Sequence, residues 1–304
     1  MRKSTRMIRG AMLVTLVALA VYVPAVVSGC GEGQSEASKN ATERFTEILG
    51  RAPAADSVAA QVAESGTLIV GVDGDYPPQS SIDPETKQPK GFDVDVAREM
   101  ATRLGLKVEF VNPNWDAMAA GLKTGRFHVA LSSLPITSAA KRDKTFTAPY
   151  AYLNAIPVGP VKGPKITTAD DLMGKTVAAP ALTSYAAFLQ GVSGVLVKVY
   201  GTDVGAIEDL RAGTVDALLT SEIDAAAIVA SEKSLRAGET PLFYQPLGGA
   251  LKKGEVDLVT IFDKVLGDMR ADGTLKTISQ RWYAGRDVTA TPPEGVPEYT
   301  GRTK

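Results

Sequence analysis

The sequence predicts an α/β fold of two lobes, each a mixed sheet flanked by helices. Three observations predict it. From Gly66 onward, strand-like and helix-like stretches alternate, which argues for a parallel or mixed sheet covered by helices. The alternation starts afresh near Lys175. A short echo also joins the halves: GLKTGRFHVALSS (121–133) and DLRAGTVDALLTS (209–221) each run from a helix end through a glycine and an apolar strand into hydroxyl residues.

In chain order, LIVGV (68–72) is an apolar run of strand length. DVDVAREMATRLG (93–105) sets Ala97, Met100, Ala101 and Leu104 on one helical face and stops at Gly105. KVEFV (107–111) is the next strand, WDAMAAGLKTG (115–125) the next helix and VALSS (129–133) a third strand. In the second half, KTVAAP (175–180), VLVKVY (195–200) and VDALLTS (215–221) are strands, with helices at 184–191 and 204–213 between them.

The chain has 304 residues, 44% of them hydrophobic, enough for one large domain or two ordinary ones. Its start stands apart. Arg2, Lys3, Arg6 and Arg9 precede an almost wholly apolar or small stretch at 11–27, the pattern of an export signal. A membrane-spanning helix is the alternative, since the stretch approaches the ~18 residues a span needs. VVSGC (26–30) ends in the chain's one cysteine. With no partner for a disulfide, Cys30 is either idle or modified. Val27-Ser28-Gly29-Cys30 resembles the bacterial lipobox, which implies cleavage after residue 29 and lipidation of Cys30. The mature chain then carries 29 basic residues against 34 acidic ones. No long basic stretch survives, so nucleic acid is not an expected partner. Residues 31–56 are small, polar and poor in aromatics, and are expected to form a flexible tether with a helical turn or two.

Open α/β sheets bind ligands beyond the carboxyl ends of their strands. Those ends carry Asp73 and Tyr76, then Ser132 and Ser133 in the first half. In the second they carry Thr183, Ser184 and Tyr185, then Thr220, Ser221 and Glu222. Two lobes facing each other would place these along one cleft that closes about a hinge. His128, the single histidine, is expected to be a turn residue ahead of a strand. One His and one Cys leave only scattered carboxylates, so no metal site is expected. Neither a nucleophile elbow nor a phosphate-binding glycine loop appears, and no cofactor is expected.

GTLIVGVDGDYPP (66–78), GFDVDVAREMATRLGLKVEFV (91–111), LPITSAAKRDKTFTAPY (134–150) and ADGTLKTISQRWYAGRDVT (271–289) resemble the extracellular solute-binding proteins of family 3, the polar amino-acid receptors of ABC importers. The resemblance covers about 57–289. It implies a periplasmic-binding-protein type II clamp, with lobe 1 at 57–153 plus 246–289, lobe 2 at 157–242, crossings near 154–156 and 243–245, and a tail at 290–304. Asp73 and Tyr76 match positions that meet the ligand. Trp115 falls where relatives place an aromatic or apolar clamp, with core packing at a helix start as the alternative.

Two departures stand out. Relatives place an Arg three residues after the Thr of the 134–150 loop, forked onto the ligand's α-carboxylate; counted from Thr137, that position is Ala140. An Arg fork is bidentate in a way Ala cannot imitate. Arg142 would reach the site only along a rearranged loop. Relatives also place an Asp at the position of Ser221 to pair the α-amino group; Glu222 follows, but on a continuing strand it would point the other way. In ALTSY (181–185), Leu182 replaces the usual Gly while Thr183 and Ser184 remain.

Two functions compete on this scaffold. The first is a lipid-anchored, monomeric, extracytoplasmic receptor delivering a small polar or amino-acid-like solute to an ABC permease. The second is a cyclohexadienyl (prephenate or arogenate) dehydratase, because TSEIDA (220–225) places Asp224 where those enzymes carry a catalytic Glu. The shorter side chain argues against it, and Asp224 would otherwise cap a helix starting near Ala225.

Overall fold

The computed structural model describes residues 35–301 except Asn114, and at Trp115 and Asp116 only the backbone. The expected export signal and Cys30 lie outside the described residues.

One mixed sheet runs through both lobes. Its strands lie in the order Leu196–Tyr200, Thr176–Pro180, Ala217–Ser221, Ala151–Pro160, Phe243–Lys252, Val129–Pro135, Thr67–Gly71 and Lys107–Val111. Within the first lobe, Thr67–Gly71 pairs in parallel with both of its neighbours. Within the second, Thr176–Pro180 does the same. The two ten-residue strands between them run antiparallel, from Phe243 opposite Ala155 to Leu247 opposite Ala151. Each long strand starts in one lobe and ends in the other. Ala151–Pro160 goes on to pair with Ala217–Ser221, and Phe243–Lys252 with Val129–Pro135. A two-stranded ribbon is thus the backbone link between the lobes, with Leu153 opposite Gln245 in its middle and Asn154 opposite Tyr244 beside it.

Each lobe buries both faces of its part of the sheet. On Ala217–Ser221, Ala217 and Leu219 enter one core with Leu189 and Phe243, while Leu218 enters another with Leu210 and Ile228. This is the two-residue period of a strand buried on both sides. In the first lobe, Leu68 and Val70 pack with Met100 and Phe262, and Phe127 and Ala130 pack on the opposite face. Ala97, Met100, Ala101 and Leu104 are each no more than 1% exposed, as their spacing predicts.

The expected tether is different. Residues Glu36–Leu49 form a helix whose N-cap, Ser35, accepts the Ser38 N–H at 3.1 Å, and Gly50 ends it at φ 66°. Ala41 and Phe45 are fully buried against the helices Val58–Ser65 and Asp257–Ala271. The physical reason is spacing: Ala41, Phe45, Ile48 and Leu49 share one helical face, so a polar composition still supplies a narrow apolar stripe. Arg51 then forks onto Asp257, whose Oδ2 also accepts the Ala54 N–H at 2.7 Å. Asp257→Ala is expected to cost about 1–2 kcal/mol, because it orphans that N–H and removes a carboxylate from a helix's first turn. A lowered urea midpoint at unchanged slope would show it.

The C-terminal residues return to the hinge. The Tyr244 N–H donates to Pro297 O at 3.0 Å and the Tyr299 N–H to Tyr244 O at 2.8 Å, adding a short parallel bridge beside the ribbon. The Tyr299 ring packs on Phe243 with centroids 5.1 Å apart, and the Ser138 N–H donates to Thr300 O at 3.0 Å. The segment therefore touches the second-lobe core and a first-lobe loop together.

Candidate functional site

The site is built from strand ends. Beyond Thr67–Gly71, the Asp73 N–H donates to Ser132 Oγ at 2.8 Å, locking the first and third strand ends of the lobe together. Ser133, at φ 47°, turns the chain so that its N–H meets Tyr150 Oη at 3.0 Å and its hydroxyl donates to Asp93 Oδ1 at 3.0 Å. Tyr150 donates to the same oxygen at 2.7 Å. Asp93 is fully buried, and its Oδ2 has no partner. Burial raises its pKa from 3.8 to about 7, against the lowering effect of those hydrogen bonds. Ser132 and Ser133 thus form a buried floor beneath the strand ends, with their hydroxyls already engaged inside the lobe and not open to a ligand as the sequence suggests.

Tyr76 stands over this floor, 39% exposed. Burial of its hydroxyl, then the charges of Asp93, Asp224 and Asp73, push its pKa up. Tyr185, from the second lobe, is raised by burial and then by Tyr76, Asp224 and Glu222. Three first-lobe groups (Tyr76, Asp93 and Asp73) and three second-lobe groups (Tyr185, Asp224 and Glu222) therefore share one electrostatic neighbourhood. Glu222 accepts a hydrogen bond from Asn154 Nδ2 of the ribbon at 3.1 Å, and burial raises its pKa. Asp203 is raised by burial and by Asp224. This end of the cleft is acidic.

The other end is a cavity of about 380 Å³. Thr137 and Ala140 line it from the first lobe, Thr183 and Ser184 from the second, and Gln245 from the ribbon. Thr183 caps the helix Ser184–Gln190, accepting the Ala186 N–H and donating to Pro180 O at 2.7 Å. The Ser184 hydroxyl donates to Gln245 Oε1 at 3.2 Å. Leu182 sits at φ 61° with its side chain fully exposed at the rim, in a left-handed conformation that glycine adopts without strain.

Of the residues singled out in the sequence, Asp73, Tyr76, Tyr185 and Glu222 meet at the acidic end, and Thr137, Thr183 and Ser184 at the cavity. Arg142 does not join them: it is exposed on the short helix Ala140–Asp143 and does not line the cavity. Ser221 is the N-cap of the helix Glu222–Ser231; its hydroxyl accepts the Asp224 N–H at 3.0 Å and donates to Asp224 Oδ2 at 2.6 Å. The helix thus starts three residues before the expected Ala225, capped by Ser221 and not by Asp224, because a Ser with an acid three residues on forms a reciprocal cap. The side chain of Trp115 lies outside the described residues. His128 accepts the Ile69 N–H on Nδ1 at 3.0 Å, and burial lowers its pKa, so it acts as a neutral strap between strands.

Asp93 and Tyr299 did not stand out in the sequence. For Asp93 a signal existed: an acid at the first turn of a helix whose neighbours Phe92 and Val94 are apolar. Tyr299 is separated by about 55 residues from the strand it stacks on, and no local pattern announces it.

Comparison with known proteins agrees with this geometry. The family model for "bacterial extracellular solute-binding proteins, family 3" matches residues 68–285. The L-cystine-binding protein TcyJ of Escherichia coli K12 is 36% identical over 233 residues, which is 75% of this chain and 86% of that one. The crystal structure of the unliganded, open L-cystine solute receptor of Neisseria gonorrhoeae has a TM-score of 0.62 at 26% identity, over 74% of this chain and 95% of that one. A reconstructed ancestral amino-acid-binding protein, described as a precursor of cyclohexadienyl dehydratase, has a TM-score of 0.57 at 30% identity, over 75% and 99%. The curated relatives are named as transport-binding proteins and not as enzymes. A two-lobed α/β clamp, with a cleft between strand ends and a family match over most of the chain, makes this chain an extracytoplasmic solute-binding component of an ABC importer, and it belongs to the bacterial extracellular solute-binding proteins, family 3.

Proposed function

We propose that this protein is a lipid-anchored, monomeric receptor whose solute is an amino acid or a close relative such as L-cystine. Lipidation of Cys30 would hold it at the membrane beside its permease, and hinge closure along the two long strands would trap the solute. The observation that carries the reading is the acidic end of the cleft. Glu222, Asp224, Asp73 and Asp203 surround Tyr76 and Tyr185, a setting that draws an ammonium group and offers it aromatic faces. The cystine receptors among its relatives supply the ligand class. The Asp224 carboxylate, already bonded to the Ser221 hydroxyl, is poorly placed as a general acid, which favours binding over dehydration.

A thermal-shift screen tests the reading, with L-cystine, the common amino acids, neutral sugars and prephenate as probes. A ligand at a thousand times its Kd adds about 4 kcal/mol to the folded state. The expected result is a shift with L-cystine or another amino acid and none with sugars. A shift confined to uncharged solutes would overturn it.

A further inference from the structure

The geometry points to Lys144 as the residue that holds the solute's carboxylate, in place of the arginine whose position Ala140 occupies. This inference rests on the amino-acid reading above and deepens it.

The placement follows from local structure. Ala140–Asp143 is a single helical turn, and the Lys144 N–H donates to Ala140 O, so residue 144 follows residue 140 by one full turn. Residues four apart lie one above the other on a helix, whereas a residue two apart points away. Lys144 therefore returns to the side of Ala140, while Arg142 faces solvent. Beyond the turn, Lys144 opens the strand Lys144–Phe146, where residues two apart share a face. Lys144 and Phe146 accordingly both line the 380 Å³ cavity.

Chemistry then singles it out. Among the described residues lining this cavity, Lys144 is the one with a charged side chain. The rest of the wall is largely apolar, with Met118, Leu134, Phe146 and Tyr299, or carries the hydroxyls of Thr137, Thr183 and Ser184. The ion pairs formed by lysines among the described residues involve Lys90, Lys165, Lys198 and Lys264, and Lys144 is in none of them. It also borders an outer cavity of about 620 Å³ that Glu298 lines, without pairing to that carboxylate. Lys144 is half-buried, lines a largely apolar chamber and has no ion pair of its own, a setting in which an ammonium attracts an anion from a bound solute more strongly than it would in open water. The acidic end of the cleft then takes the ammonium and the Lys144 end the carboxylate, so the solute has one orientation. A lysine supplies a point charge where the family's arginine supplies a fork, and this tolerates more than one carboxylate angle.

Matched pairs of solutes test this by calorimetry: L-cystine against cystamine, L-arginine against agmatine and L-lysine against cadaverine, each amine lacking only the carboxylates. Lys144→Gln is expected to weaken binding of the amino-acid member about 10- to 100-fold, the scale of a lost charge-assisted hydrogen bond. The amine should stay within about twofold, and Lys144→Arg should restore most of the amino-acid affinity. Equal weakening of both members, or no change in either, would overturn the role of Lys144 while leaving the amino-acid reading in place. A wild-type protein that binds no amino-acid member of any pair would overturn both.

Discussion

Replacing Phe45 with alanine is expected to destabilise the protein by about 3–5 kcal/mol, the usual cost of emptying a buried aromatic site. Phe45 is fully buried, on a helix whose residues look from composition alone like a solvated tether. Its ring belongs to the first-lobe core that also contains Ala59, Val62, Phe262 and Met269. Removal leaves a void between three helices that cannot all close on it. Denaturation in urea measures the loss. Hydrogen exchange locates it: amides of 36–49 should open with the global transition in the wild type and well before it in the variant. If residues 36–49 exchange at once in the wild type, the helix does not belong to the folded core, and the substitution should cost almost nothing.

A second large effect should appear in the pH dependence of stability. With its pKa raised from 3.8 to about 7, Asp93 keeps its proton in the folded state over a range where the unfolded chain has lost it. Below pH ~4 both states are protonated and the burial carries no ionic penalty. As pH rises toward 7 the unfolded state is favoured increasingly, and above 7 the penalty is constant. A shift of that size, at roughly 1.4 kcal/mol per unit, amounts to something on the order of 4 kcal/mol. Asp93→Asn keeps the acceptor for Tyr150 and Ser133 but cannot ionise. It places a buried amide without a partner where Oδ2 now stands, a fixed cost of about 1–3 kcal/mol. The variant should therefore be the less stable protein near pH 4 and gain on the wild type steadily up to pH 7. Parallel stability curves for the two proteins would mean that Asp93 titrates normally and that its enclosure is looser than its packing indicates.

The same carboxylate bears on the site. Ser133 and Tyr150 converge on it beneath Tyr76, so the proton of Asp93 sets whether the cleft floor carries a charge. Under the amino-acid reading proposed above, an ionised Asp93 would add to the field that draws an ammonium group, and a protonated one would leave that task to the second-lobe acids.

The sequence by itself determined what depends on near neighbours along the chain. Strand and helix periods over 67–135 and 175–221 placed the main-sheet strands and their helices to within a few residues, since apolar spacing of two or of three to four reflects which side faces a core. The small sheet of Asp75–Tyr76, Ser80–Ile82 and Pro89–Lys90 has too few residues per strand to show a period. Strand ends could then be read as candidate cleft positions, and the fold brings Asp73, Tyr76 and Glu222 into one electrostatic neighbourhood and Thr183 to the 380 Å³ cavity. The loss of arginine at residue 140 was likewise legible by counting. Tertiary structure alone decided the rest, because burial depends on partners that no local window contains. The stripe Ala41, Phe45, Ile48 and Leu49 is too narrow to predict burial until the helix Asp257–Ala271, some two hundred residues away, covers it. Ser221, the last residue of its strand, also caps a helix, because the strand stops there and the chain turns directly into Glu222–Ser231. Counting left Arg142 a place in the site only along a rearranged loop, and a single turn of helix directs it to solvent while bringing Lys144 back to the cavity. Which of the two cations borders the cavity follows from the direction of one turn, a property of the folded backbone that the identity of the residues does not reveal.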